Sequence, residues 1–211
     1  MGNKEEIDLS YVQLITELLP VYMLIGFGSK NQFKNLNTLE KKLDHIAETL
    51  PKYGSVLLYF GDAPNKDKPD IGYAFQLLSN KLKKIGKNVT ILMIQIEEAK
   101  SWGVPDFVDY VYWHKDYTEK CKWGGLDETG MPCSNTKIWY DLVKNGADFK
   151  KAFVLGGGPI TETEIRLLLS LHSPVEIHVM ERKFLGDGTT PVERNEKDKE
   201  KLYGPLHIYK F

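Results

Sequence analysis

Three glycine turns and one carboxylate carry most of the chemistry legible in this chain. Gly156-Gly157-Gly158-Pro159-Ile160-Thr161 follows the apolar run Ala152–Leu155 and leads into an amphipathic stretch. Glycine accepts a positive φ and lets a ligand approach the backbone. Free N–H groups at a helix start, together with the helix dipole, favour a phosphate there. Gly28-Ser29 and Gly61-Asp62 stand in the same relation to two earlier apolar runs, Val21–Phe27 and Val56–Phe60. Two readings of the glycines stay open: phosphate contact, and turn geometry alone. Thr161 and Glu164 have capping-box spacing, so one role for the pair is to cap a helix. Contact with a ligand is the other. Asp62 suits a ribose hydroxyl or the start of a turn.

Such turns need a sheet whose strand ends converge. The runs Val21–Gly28, Ser55–Gly61 and Val89–Ile96 are continuously apolar, as strands buried on both faces are. Phe107–Trp113, Ala152–Leu155 and Val175–Met180 read as further strands. Helical spacing predicts helices over Glu5–Leu19, Thr38–Leu50, Asp70–Ile85, Asn135–Lys144 and Thr161–Leu171. Strands alternating with helices predict an α/β fold, a Rossmann-like three-layer domain with a mainly parallel sheet over residues 21–180. Residues 1–20 are a leading helix, and the polar, glycine-containing stretch 115–131 is an inserted loop. Residues 181–211 form a charged tail. Within it Glu181–Lys201 reads as a solvated loop or flexible arm and Leu206–Phe211 as a candidate edge strand. In open parallel sheets ligands bind at the carboxyl ends of strands, where strand order reverses.

Composition bounds the partners. With 211 residues, 42% hydrophobic and 27% charged, the chain can build one buried core. A net charge of −1 supplies no global field for nucleic acid or an anionic membrane, so neither is an expected partner. No apolar run is long enough to span a bilayer, and the first residues hold no signal-peptide core. Cys121 and Cys133 are expected as free thiols in a reducing cytoplasm, since zinc sites favour closer pairs. No metal and no other cofactor is expected. The expected partner is a small-molecule nucleotide or nucleotide derivative, and a homodimer is compatible with the sequence. Of the four tryptophans, Trp123 beside Gly124-Gly125 is placed to stack on a base or sugar.

Gly157-Gly158-Pro159-Ile160-Thr161-Glu162-Thr163-Glu164 resembles the GGxGTxxE signature of the LONELY GUY phosphoribohydrolases, once called lysine decarboxylases. Phe27-Gly28-Ser29 is similar to the CGS turn after that family's first strand. The wider group is the SLOG superfamily of Rossmann-like nucleotide binders. The resemblance implies a nucleotide or ribosyl nucleotide held by the strand-end loops. It also implies N-glycosidic hydrolysis with Glu164 as the acid or water-activating group. The chain departs from the pattern. Ile160 replaces a signature glycine, and Gly156 replaces the leading proline. The second glycine cluster is reduced to Gly61 and Gly72. No arginine matches the catalytic one, Lys137 being the nearest cation. Binding therefore carries over further than catalysis, and a non-catalytic nucleotide sensor or sequestering protein is the alternative. A glycosyltransferase-like or interaction protein on the same fold is a third reading.

Overall fold

The computed structural model describes residues 4–28, 31–61, 64, 67, 69–185 and 191–193. The apolar runs become strands of one seven-stranded sheet. They are β1 (Glu5–Glu6), β2 (Val21–Gly26), β4 (Tyr53–Tyr59), β5 (Asn88–Ile96), β6 (Tyr110–His114), β7 (Phe149–Leu155) and β8 (Val175–His178), in the order β1-β6-β5-β4-β2-β7-β8. Every pairing in this sheet is parallel. The expected α/β three-layer architecture is the one observed.

Side chains alternate between the faces of a strand, and here both faces are apolar. Leu24, Leu57, Tyr59, Met93 and Phe153 point to one face. They pack on α2 (Leu36–Thr49) and α3 (Ile71–Lys84) through Leu39, Leu43, Ile46, Phe75 and Leu78. Met23, Ile25, Leu58, Ile94 and Val154 point to the other. There α1 (Leu9–Leu18), α4 (Ser134–Lys144) and α5 (Pro159–Ser170) supply Val12, Trp139, Ile165 and Leu168.

The chain runs outward from β2 through β4 and β5 to β6, then returns across the sheet to β7 beside β2. After β2 it leaves towards one edge, and after β7 towards the other. The two carboxyl ends thus part at a topological switch point, where a parallel sheet opens a crevice.

Three expectations change. The leading helix starts at Leu9, because the Asp8 side chain accepts a hydrogen bond from Tyr11 N at 2.8 Å and caps it there. Glu5–Glu6 instead extends the sheet beside β6. Two stretches inside the charged segment are strands rather than solvated loop. These are β9 (Arg182–Leu185) and β10 (Pro191–Glu193), which pair antiparallel with each other, while β9 also pairs with β3 (Asn31–Phe33). Backbone pairing needs no apolar side chains, so a charged composition does not forbid it. The candidate edge strand Leu206–Phe211 lies outside the described residues.

Candidate functional site

The crevice is a cavity of about 500 Å³ over the carboxyl ends of β2, β4, β5 and β7. Gly26 ends β2 and Gly28 lies just beyond it, Phe60 and Gly61 follow β4, and Gln95 is the last residue but one of β5. Gly158, Pro159, Ile160 and Thr161 open α5, with Glu164 one turn further in. Of the residues singled out by sequence, Gly28, Gly61, Gly158, Pro159, Ile160, Thr161 and Glu164 line this one space. Ser29 and Asp62 lie outside the described residues.

Gly156 and Gly157 do not line the cavity; they shape the turn that leads to it. Their φ angles are +66° and +138°. A Cβ at Gly156 would stand 2.3 Å from the Phe27 ring, and one at Gly157 would stand 2.5 Å from Thr161. Turn geometry accounts for both. Gly28 differs, because a Cβ there meets nothing within 4 Å among the described residues.

The capping expectation for Thr161 and Glu164 is not met. Gly158 is the N-cap and Pro159 follows it at the helix start, so Thr161 is already inside α5. No side chain caps Gly158. Thr161 Oγ1 donates to Gly26 O at 3.2 Å, tying the start of α5 to the end of β2.

Glu164 is therefore free of a capping role. It is 8% exposed. Thr136 Oγ1 donates to its Oε1 at 3.1 Å, and Trp139 Nε1 donates to the same oxygen at 3.4 Å. Gly125 N donates to Thr136 Oγ1 at 2.8 Å, so the hydroxyl accepts from the loop while it gives its one proton to Glu164. Burial pushes the Glu164 carboxyl up to about 7, against the pull of the Thr136 and Trp139 hydrogen bonds. Both donors meet Oε1, so the proton of the neutral acid resides on Oε2. A carboxyl balanced near neutrality in a cavity wall can take or give a proton at working pH.

Beside it runs a chain of buried amides that the sequence reading did not single out. Gln95 Nε2 donates to Phe60 O at 3.1 Å, and Asn135 Nδ2 donates to Gln95 Oε1 at 2.9 Å. Ile96 N also donates to Gln95 Oε1, at 3.0 Å. His114 Nε2 meets Asn135 Oδ1 at 2.8 Å. The Phe60 carbonyl can only accept, so every amide orientation along the chain follows from it, and Nε2 carries the His114 proton. Burial holds His114 below the usual histidine range, with the Asn135 bond and Asp116 opposing. Gln95 was visible as the one amide in the apolar run Val89–Ile96. Asn135 carried no comparable signal.

The rim is aromatic. Trp102 and Trp123 line the mouth, stacked with centroids 5.1 Å apart. Lys122, next to Trp123, forms an ion pair with Glu98 in the turn that carries Trp102, and Tyr117 donates to the same Glu98 carboxylate. Cys121 and Cys133 are joined as a disulfide with Cα atoms 6.2 Å apart, so the expectation of two free thiols is corrected. The Leu126–Pro132 bridge folds the loop back on itself and brings the two ends together. Such bonds persist in oxidising compartments, so the cysteines do not argue for a cytoplasmic protein. Among the described residues no His, Cys, Asp or Glu cluster is arranged to hold a metal.

No lysine or arginine lines the cavity among the described residues; its charged liners are Asp70 and Glu164. Lys137, the nearest cation expected from sequence, pairs with Asp141 at 2.7 Å and Asp116 at 3.2 Å. Among the described residues no helix is long and apolar enough to cross a membrane.

No family model matches the chain, and no curated protein matches it. A solved structure of the Moco carrier protein from Chlamydomonas reinhardtii is similar over 90% of this chain and 86% of that one, at 17% identity and a TM-score of 0.45.

Proposed function

We propose that the protein binds a phosphate-bearing nucleotide or ribosyl nucleotide in the switch-point cavity and hydrolyses its N-glycosidic bond. The observation that carries this is Glu164, buried in the cavity wall with its carboxyl at about 7. The uncapped start of α5 at Gly158 takes the phosphate on backbone N–H groups. Gly28, open in front of it, leaves room for the phosphate oxygens. Gly61, just beyond β4, lines the same space. The SLOG-like segment Gly157–Glu164 supports the same reading.

In the reaction, ionised Glu164 takes a proton from a water molecule on Oε2. The water oxygen bonds to the anomeric carbon as the C–N bond breaks. The proton passes to the leaving base, so nucleotide and water give sugar phosphate and free base. Thr136 and Trp139 hold Oε1 and aim the carboxyl throughout.

A second reading is a non-catalytic binder, and the lack of a cation among the described residues that line the cavity favours it. One experiment separates the two. Nucleoside monophosphates are incubated with the protein and free base is followed by chromatography. Turnover should rise with pH through about 7 as Glu164 ionises, and should vanish in Glu164→Gln with binding retained. Binding without turnover at any pH establishes the non-catalytic reading. In a thermal-shift panel, a ligand at a hundred times its Kd should add about 2.7 kcal/mol of stability.

A further inference from the structure

The cavity has two features that phosphate capture and hydrolysis do not use: the tryptophan rim and the spare amide hydrogens of its floor. We propose that together they form a heterocycle subsite, selective for an aromatic base whose inner edge presents hydrogen-bond acceptors. This rests on reading the cavity as a nucleotide site.

The rim comes first. Trp102 and Trp123 lie on different segments, the 3-10 turn Glu97–Trp102 and the disulfide-closed loop 121–133. Both are large, apolar and nearly half exposed, at 46% and 44%. Exposed indoles rarely stay ordered without partners, yet several ties hold this pair in place. The Lys122–Glu98 ion pair joins the two segments, with Lys122 Nζ 5.8 Å from the Trp123 ring centroid. Ser134 Oγ donates to Lys122 O, and Gly125 N donates to Thr136 Oγ1, so the loop is also anchored to the start of α4. Ile160, 41% exposed at the head of α5, adds apolar surface to the same mouth. A fixed aromatic wall at a cavity mouth is a stacking platform, since every base has a π-face.

The floor supplies direction. Gln95 and Asn135 are 1% and 2% exposed and both line the cavity. Gln95 Oε1 already accepts from Ile96 N and Asn135 Nδ2, and Gln95 Nε2 has given one hydrogen to Phe60 O. Asn135 Nδ2 has given one hydrogen to Gln95, and Oδ1 faces His114 Nε2. Each amide nitrogen keeps one hydrogen without a partner among the described residues. The chain is anchored on a backbone carbonyl, so neither amide can flip to offer its oxygen without breaking these bonds. The two remaining N–H groups, on adjacent hydrogen-bonded residues of the cavity lining, are the donors this floor can offer a ligand. An oxo-purine edge offers two acceptors, O6 and N7, whereas adenine offers N7 beside a donor amino group.

Calorimetric titration with three probes tests this: inosine 5′-monophosphate, adenosine 5′-monophosphate and ribose 5-phosphate. Inosine monophosphate should bind most tightly and ribose 5-phosphate most weakly. Trp102→Leu and Trp123→Leu should each weaken inosine monophosphate by roughly 5- to 150-fold and leave ribose 5-phosphate unchanged. Both positions are half exposed, so the fold is retained and melting temperature checks it. Ribose 5-phosphate binding as tightly as inosine monophosphate overturns the subsite and leaves the phosphate site standing. Adenosine monophosphate binding as tightly as inosine monophosphate overturns the assignment of the floor as paired donors. Failure of all three probes to bind overturns the nucleotide reading itself.

Discussion

At the residue scale, the glycines around the cavity do two different jobs, and the backbone tells them apart. Gly157 holds φ at +138°, and its missing Cβ makes room for Thr161. Among the described residues nothing lies within 4 Å of where a Gly28 Cβ would go. Gly157→Ala should therefore cost stability whether or not a ligand exists, on the order of 1–3 kcal/mol from backbone strain alone. Gly28→Val should leave the melting temperature within a degree or two and lower the affinity for a nucleoside monophosphate at least tenfold. Measuring both quantities on both variants checks the assignment. An unchanged affinity in Gly28→Val would move the phosphate away from the β2 turn. The type of residue at 157 and 28 is the same, so sequence alone leaves phosphate contact and turn geometry as alternatives at each. Only φ and the neighbouring atoms separate them.

At the element scale, the strands of the main sheet were legible because they are buried on both faces and so are written as unbroken apolar runs. Helices α2 to α5 were legible from their spacing for the same reason. What escaped was set by hydrogen bonds rather than by burial. The short strands β3, β9 and β10 pair through backbone groups, and β9 and β10 sit among charges. The start of α5 moved because Pro159 fits the first helical position, which makes Gly158 the cap and frees Thr161 and Glu164 for other contacts. The pairing of Cys121 with Cys133 depends on how the intervening loop turns back, which a spacing of twelve does not encode. That loop carries a testable consequence. Cys133 is the N-cap of α4, and the next residues, Ser134, Asn135 and Thr136, hold Lys122, Gln95 and Glu164. Replacing both cysteines by serine should lower stability by about 2–4 kcal/mol through the opened loop. Amide exchange at Asn135 and Thr136 should quicken as the first turn of α4 loosens. Thiol titration of the unfolded, unreduced protein should find no free thiol. Two equivalents would show that the loop is held by its polar contacts alone.

At the scale of the whole molecule, the switch point couples the site to the stability of the fold. Ligand-binding crevices in parallel sheets lie where strand ends diverge, and here that is also where an ionisable group is sealed against the core. Glu164 has its carboxyl raised from 4.5 to about 7. Below 4.5 it is protonated in both the folded and unfolded chain, and its contribution is fully present. Between 4.5 and about 7 the unfolded chain releases the proton while the folded one keeps it, so stability falls as pH rises, and above that range it levels. The loss is on the order of 3 kcal/mol at 1.36 kcal/mol per pH unit. His114 and His178 act in the opposite sense. Burial lowers both from 6.5, although Glu176 pulls His178 back up, so their contribution is present above 6.5 and is lost as pH falls. The wild-type profile is the sum of these opposed slopes. Glu164→Gln removes one of them and keeps an acceptor oxygen for Thr136 and Trp139. Urea unfolding of both proteins at pH 5, 6, 7 and 8 isolates the difference. Relative to wild type, the glutamine variant should gain stability with each step up in pH, most of it before pH 7, with the histidine contributions cancelling. A difference that stays flat across the series would mean that Glu164 ionises as an ordinary surface carboxylate. The proton it is proposed to exchange with water would then have to come from elsewhere.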